Sequence, residues 1–123
     1  MDRFDLQKRL IAYSVIIIKI IKELPDNREG NHLAGQLIRS GTSPALNYGE
    51  AQSAESRRDF IHKMKISLKE LRESLICLEI IYECQLHTNE ETMILAKKES
   101  NELISIFVKS VNTAQHNVRA GKI

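Results

Sequence analysis

The stretch RRDFIHKMKISLKELRESLICLEIIYECQL, residues 57–86, decides the fold. Within it Phe60, Met64, Leu68, Leu71, Leu75, Leu78 and Tyr82 recur at spacings of four and three. On a helix of 3.6 residues per turn that spacing draws a single apolar stripe from end to end. Ser56 followed three positions later by Asp59 resembles a capping box, which places the helix start at about residue 57. A long amphipathic helix needs other helices to cover its stripe, and the flanking sequence supplies them.

Upstream, residues 2–24 carry Leu6, Leu10, Tyr13, Ile17, Ile20 and Leu24 in the same four–three rhythm. The β-branched run Val15-Ile16-Ile17-Ile18 would suit a buried strand. The stripe continues on both sides of it, however, and no partner strand is visible, so helix is expected. Pro25-Asp26-Asn27 ends the segment, with Gly30 loosening the turn. Residues 31–52 form a second helical segment interrupted at Gly41-Thr42-Ser43-Pro44. Proline there predicts a kink, or a stop and restart in which Ser43 caps and Pro44 takes the first helical position. Ala45, Gly49, Ala51, Ser53 and Ala54 are small enough to admit a neighbouring helix closely. Downstream, Thr88 and Glu91 form a T-x-x-E capping box for a fourth helix over 89–119, whose apolar face runs Met93, Ala96, Leu103, Phe107, Val111, Ala114, Val118. Gly121-Lys122-Ile123 should fray.

Four amphipathic helices with short joints predict an all-α protein, an antiparallel up-down-up-down four-helix bundle filling residues 1–123 as one domain. Composition agrees: 42% hydrophobic and 28% charged residues are globular values, and only five Gly and two Pro occur. Cys77 and Cys84, seven positions apart on one helix, stand about 10 Å apart along its axis, too far to bridge. They read as small buried hydrophobes in a reducing compartment, and with no signal peptide and no apolar run long enough to span a bilayer a cytoplasmic protein is expected.

Apolar residues remain after the core is filled. Ile66, Ile76 and Ile80 project almost opposite the stripe of the third helix, and Ile11, Val15 and Ile18 lie off that of the first. Such clusters point to self-association, with Ile66, Ile76 and Ile80 as candidate interface residues. Beside the stripe of the third helix Arg58, His62, Lys65, Lys69 and Arg72 form a ridge, with Arg57 at its head. Cations near a helix N-terminus oppose the macrodipole at a cost of roughly 0.3–1 kcal/mol each. Something can offset that cost: the phosphate backbone of RNA or DNA, or carboxylates on a neighbouring helix or subunit; a merely solvated face is the third reading.

Catalytic patterns are missing. His32, His62, His87 and His116 form no i, i+4 pair and no Glu-x-x-His motif, and there is no C-x-x-C, phosphate loop or nucleophile elbow. No catalytic residue, metal, cofactor, small-molecule substrate or membrane partner is therefore expected.

The segment Arg39-Ser40-Gly41-Thr42-Ser43-Pro44-Ala45-Leu46-Asn47-Tyr48-Gly49-Glu50-Ala51, followed by Ser56, Asp59-Phe60 and the run from Leu71 to Leu78, resembles a bacterial family. These are the four-helix-bundle proteins encoded in intervening sequences of large-subunit ribosomal RNA genes, once labelled ribosomal proteins. Their fold is similar to that of the accessory protein of diversity-generating retroelements. Ala51 departs from the pattern, since many members carry Gly there. The resemblance implies a homo-oligomer, a pentameric ring, with a connection to nucleic acid. It also marks Arg39, Ser40, Asn47 and Glu50 as signature residues. A buried polar network tying the second helix to the third, or to the next subunit, would account for those four without a ligand. The function expected is a non-enzymatic homo-oligomeric scaffold binding RNA or a nucleoprotein through Arg57, Arg58, Lys65, Lys69 and Arg72. The alternative is a purely protein–protein interaction module.

Overall fold

Each helix start is set by a short polar side chain that accepts from orphan backbone N–H groups of the first turn. In a computed structural model that describes residues 1–121, Asp2 caps α1 (Arg3–Lys22), Asn27 caps α2 (Arg28–Ala51), Ser56 caps α3 (Arg57–Glu83) and Asn89 caps α4 (Glu90–Arg119). The four helices run up, down, up and down, and no strand occurs among the described residues. Each packs on its neighbours in the chain and α1 closes the ring against α4, with the α2–α3 seam the most closely packed. The β-branched run of α1 is helical: Ile17 is buried and Val15 exposed.

Two starts differ from expectation. Asn27 opens α2 three residues before residue 31, its carboxamide accepting from the Gly30 N–H at 2.8 Å. Gly30 therefore lies inside the first turn, where an added Cβ would stand 2.0 Å from the Pro25 carbonyl oxygen; close approach, not turn freedom, requires glycine. For α4 the cap is Asn89, which accepts from the Thr92 N–H at 3.0 Å, so Thr88 and Glu91 do not form the expected capping box. The end of α3 closes with the Leu86 N–H donating to the Ile81 carbonyl and the Gln85 N–H to that of Tyr82. Gln85 adopts the left-handed φ of 55° that this turn demands. Lys122 and Ile123, where fraying is expected, lie outside the described residues.

Pro44 does not divide α2, which is continuous from Arg28 to Ala51. The ring removes one backbone donor, and side chains bind nearby carbonyls of the same stretch. The Ser40 hydroxyl donates to the Gln36 carbonyl, Thr42 to Ile38, and Ser14 of α1 to that of Gly41. At Gly41 the two helices nearly touch: a Cβ there would meet the Ile17 side chain at 2.7 Å.

The core follows the predicted stripes of α1 and α4 closely, with Leu10, Tyr13, Ile17, Ile20, Leu103 and Phe107 fully enclosed. Tyr48 of α2 meets Phe107 of α4 edge-on across the bundle, ring centroids 5.9 Å apart. The other diagonal is polar. The Tyr13 hydroxyl lies 2.7 Å from the Ser74 hydroxyl on α3 and 2.6 Å from that of Ser100 on α4, all three residues buried. Ser74 also donates to the Leu71 carbonyl and Ser100 to that of Ala96. No buried side-chain polar atom among the described residues lacks a partner.

Candidate nucleic-acid interface

The outer face of α3 exists because its stripe turns inward. Ile61, Met64, Leu68, Leu71, Leu78 and Ile81 fill the core, which leaves the positions of Arg57, Arg58, Lys65, Lys69 and Arg72 in solvent. All five are exposed, and His62 is exposed among them. From Arg57 to Arg72 the ridge covers about 22 Å of helix axis. None of the five makes an ion pair among the described residues. Arg57 instead lies over the Phe60 ring, 4.9 Å from its centroid.

Three acids on its flank are held by other cations. Arg39 of α2 donates to the carboxylates of Glu70 at 2.8 Å and Glu73 at 2.9 Å, and Lys63 holds Glu50 of α2 at 2.8 Å. The Glu73 hydrogen bond, then the charge of Glu70, raises the Arg39 pKa further above its ordinary value. Asp59 stands in the first turn of α3, its backbone N–H on the Ser56 hydroxyl at 3.0 Å. The ridge is therefore an unbalanced strip of positive charge, set beside acids that α2 holds at the α2–α3 seam.

The four signature residues do not come together as one buried network. Arg39 and Glu50 reach α3 separately, each in an exposed ion pair, the Arg39 side chain being 51% accessible. Ser40 is buried and Asn47 partly so, and both bond back four residues along their own helix, Ser40 to the Gln36 carbonyl and Asn47 to that of Ser43. Exposed pairs of this kind add little to stability. What they fix is the register of α2 on α3.

Beyond Arg72 the same outer face turns apolar. Ile76 and Ile80 are 58% and 44% exposed and line an open groove between α3 and α2 with Leu33, His32 and Arg39. Ile66 is half-buried. On α1, Ile11 and Val15 are exposed and Ile18 is half-buried. The sequence reading did not single out Phe4, Ile38, Leu46, Ile94 or Leu95, which are exposed as well. Ile38 and Leu46 belong to a helix whose inward stripe is masked in the sequence by Pro44 and the small residues around it.

Among the described residues no three His, Cys, Asp or Glu stand close enough to hold a metal ion. Cys77 is buried as expected, and burial raises its thiol pKa; Cys84, expected to be buried too, is exposed and free because it caps the C-terminus of α3. The His87 side chain is enclosed, its Nδ1 accepting from the Asn89 N–H at 3.1 Å and its Nε2 facing Glu23 at 3.4 Å, so it pins the α3–α4 joint to the end of α1. Among the described residues no helix is long and apolar enough to cross a membrane.

Comparison with known proteins matches this arrangement to a family. A family model described as "23S rRNA-intervening sequence protein" fits residues 3–109, which takes in α1, α2, α3 and most of α4. The crystal structure of a protein of unknown function from the S23 ribosomal protein family of Bacteroides thetaiotaomicron VPI-5482 superposes with a TM-score of 0.82 at 28% identity. The match covers 91% of this chain and 99% of that one. No curated relative matches. A bundle of this topology, bearing the signature segment on α2 and the capped α3, belongs to the 23S rRNA-intervening sequence protein family.

Proposed function

We propose that this chain is a non-enzymatic helical scaffold that assembles with copies of itself and binds RNA, alone or in a nucleoprotein, through the basic ridge of α3. The observation that carries the reading is the strip Arg57, Arg58, Lys65, Lys69 and Arg72, exposed and without an ion pair among the described residues. Polyanion binding offsets the mutual repulsion of those cations and, for Arg57 and Arg58 in the first turn, their opposition to the helix dipole. Self-association uses Ile76 and Ile80 together with Ile66; a pentameric ring is the form that the family resemblance implies, and a cytoplasmic location follows from the sequence reading alone.

The same face supports a second reading. Glu79 and Glu83 lie on the C-terminal half of α3, exposed, so the ridge of one copy could pair with the acids of another and need no nucleic acid. Light scattering with the 260/280 nm absorbance ratio separates the two. The first reading predicts a mass several times 14.1 kDa with nucleic acid in the peak. Lys65→Gln/Lys69→Gln/Arg72→Gln strips the nucleic acid and leaves the mass of the protein assembly intact, whereas Ile76→Lys/Ile80→Lys gives monomers. If the ridge substitutions dissolve the assembly in nucleic-acid-free protein, the second reading holds. A wild-type monomer at every concentration contradicts self-association.

A further inference from the structure

The fate of every aromatic ring in the chain narrows what kind of RNA the ridge suits. The sequence has three Tyr, three Phe and no Trp. Tyr13, Tyr48 and Phe107 are buried in the core. Phe60 and Tyr82 are half-buried, and each carries a cation of its own chain on its face, Arg57 at 4.9 Å and Lys97 at 4.1 Å. Phe4 is exposed, but it belongs to the first turn of α1 and lies under Arg3. The ridge therefore offers no open ring on which a base could stack.

Single strands are held by such rings, which add roughly tenfold or more per stacked base and fix an otherwise flexible chain. A surface without them binds through phosphates alone. It then favours a ligand whose phosphates are dense and already in place, which is a double helix. The support is equally ordered: α3 is a continuous helix, its ridge runs about 22 Å along the axis, and Arg39 and Lys63 tie it to α2. A preordered row of cations matches a preordered row of phosphates and cannot follow the bends of a loose strand.

We infer that the ridge binds the phosphate backbone of double-helical RNA, indifferent to base sequence, and that unpaired RNA is a poor ligand. The inference rests on the RNA-binding reading above. It is tested by fluorescence anisotropy on the full chain at 100 mM salt. The probes are two 20-base-pair RNA duplexes of unrelated sequence, a 20-nucleotide oligouridine and polyglutamate as competitor. Expected are equal affinities for the two duplexes, at least about tenfold weaker binding of oligouridine, and loss of duplex binding in Lys65→Gln/Lys69→Gln/Arg72→Gln at unchanged helicity. Oligouridine bound as tightly as duplex overturns this inference and leaves RNA binding standing. A strong preference between the duplexes overturns the claim of base indifference. Absence of binding to every RNA, or displacement by polyglutamate at equal charge concentration, overturns both this inference and the reading beneath it.

Discussion

Tyr13 shows how much a single polar atom decides inside this bundle. Its hydroxyl and those of Ser74 and Ser100 make four contacts, two with each other and two with backbone carbonyls, yet own only three protons. The cluster can therefore satisfy its donors in more than one arrangement, and removing the phenolic hydroxyl leaves both serines bonded to their carbonyls. Tyr13→Phe should cost only about 0.5–1.5 kcal/mol in urea denaturation at neutral pH. Burial raises the Tyr13 pKa above its ordinary value of 10.0, with the two serine bonds pulling the other way. A raised folded pKa gives stability that is complete below the unfolded value and is lost as pH climbs through the folded one. Above about pH 10 the wild type should thus lose stability faster than Tyr13→Phe, and the difference between them should narrow. Parallel curves would deny Tyr13 that titration. From sequence, Tyr13 was legible as a core residue, but Ser74 and Ser100 were not, because a hydroxyl on an apolar stripe looks like a gap until its partner is known.

At the scale of the helix, the starts are where sequence and structure part by one to three residues. Thr88 and Glu91 have the spacing of a capping box, but Asn89 follows Thr88 immediately and is at least as good a cap. His87 decides between them: buried against Glu23, it accepts the Asn89 N–H and fixes the backbone so that the Asn89 carboxamide meets Thr92. Asn89→Ala should accordingly cost about 1 kcal/mol in thermal or urea unfolding and Thr88→Ala a few tenths at most; the reverse order would restore the capping box. Within α3 the expected stripe was right at Met64, Leu68, Leu71 and Leu78 and displaced at both ends. Ile61 and Ile81 took the inward positions, while Phe60 and Tyr82 moved to the edge. Both rings can leave the core at little cost because each has a surface role, Phe60 under Arg57, and Tyr82 under Lys97 with its hydroxyl on Glu90. The exposed ridge was legible because the spacing of its charges is a helical property. The absence of partners for it was not, since that depends on Arg39 and Lys63 claiming the nearby acids from another helix.

Across the whole molecule, net charge is only +2, so a polyanion would not be drawn by the sum but by its distribution. The bundle separates its charges: Arg9 clasps Glu99 and Glu102 at the α1–α4 seam, Arg39 and Lys63 serve the α2–α3 seam, and the cations of the outer face of α3 stay unspent. If that separation is what draws RNA to α3, it must appear in the salt dependence of RNA affinity. Between 50 and 200 mM salt, a plot of log affinity against log salt should become shallower by about one unit for each of Lys65, Lys69 and Arg72 replaced by Gln, per subunit engaged. Identical slopes and affinities for wild type and the triple variant would contradict it.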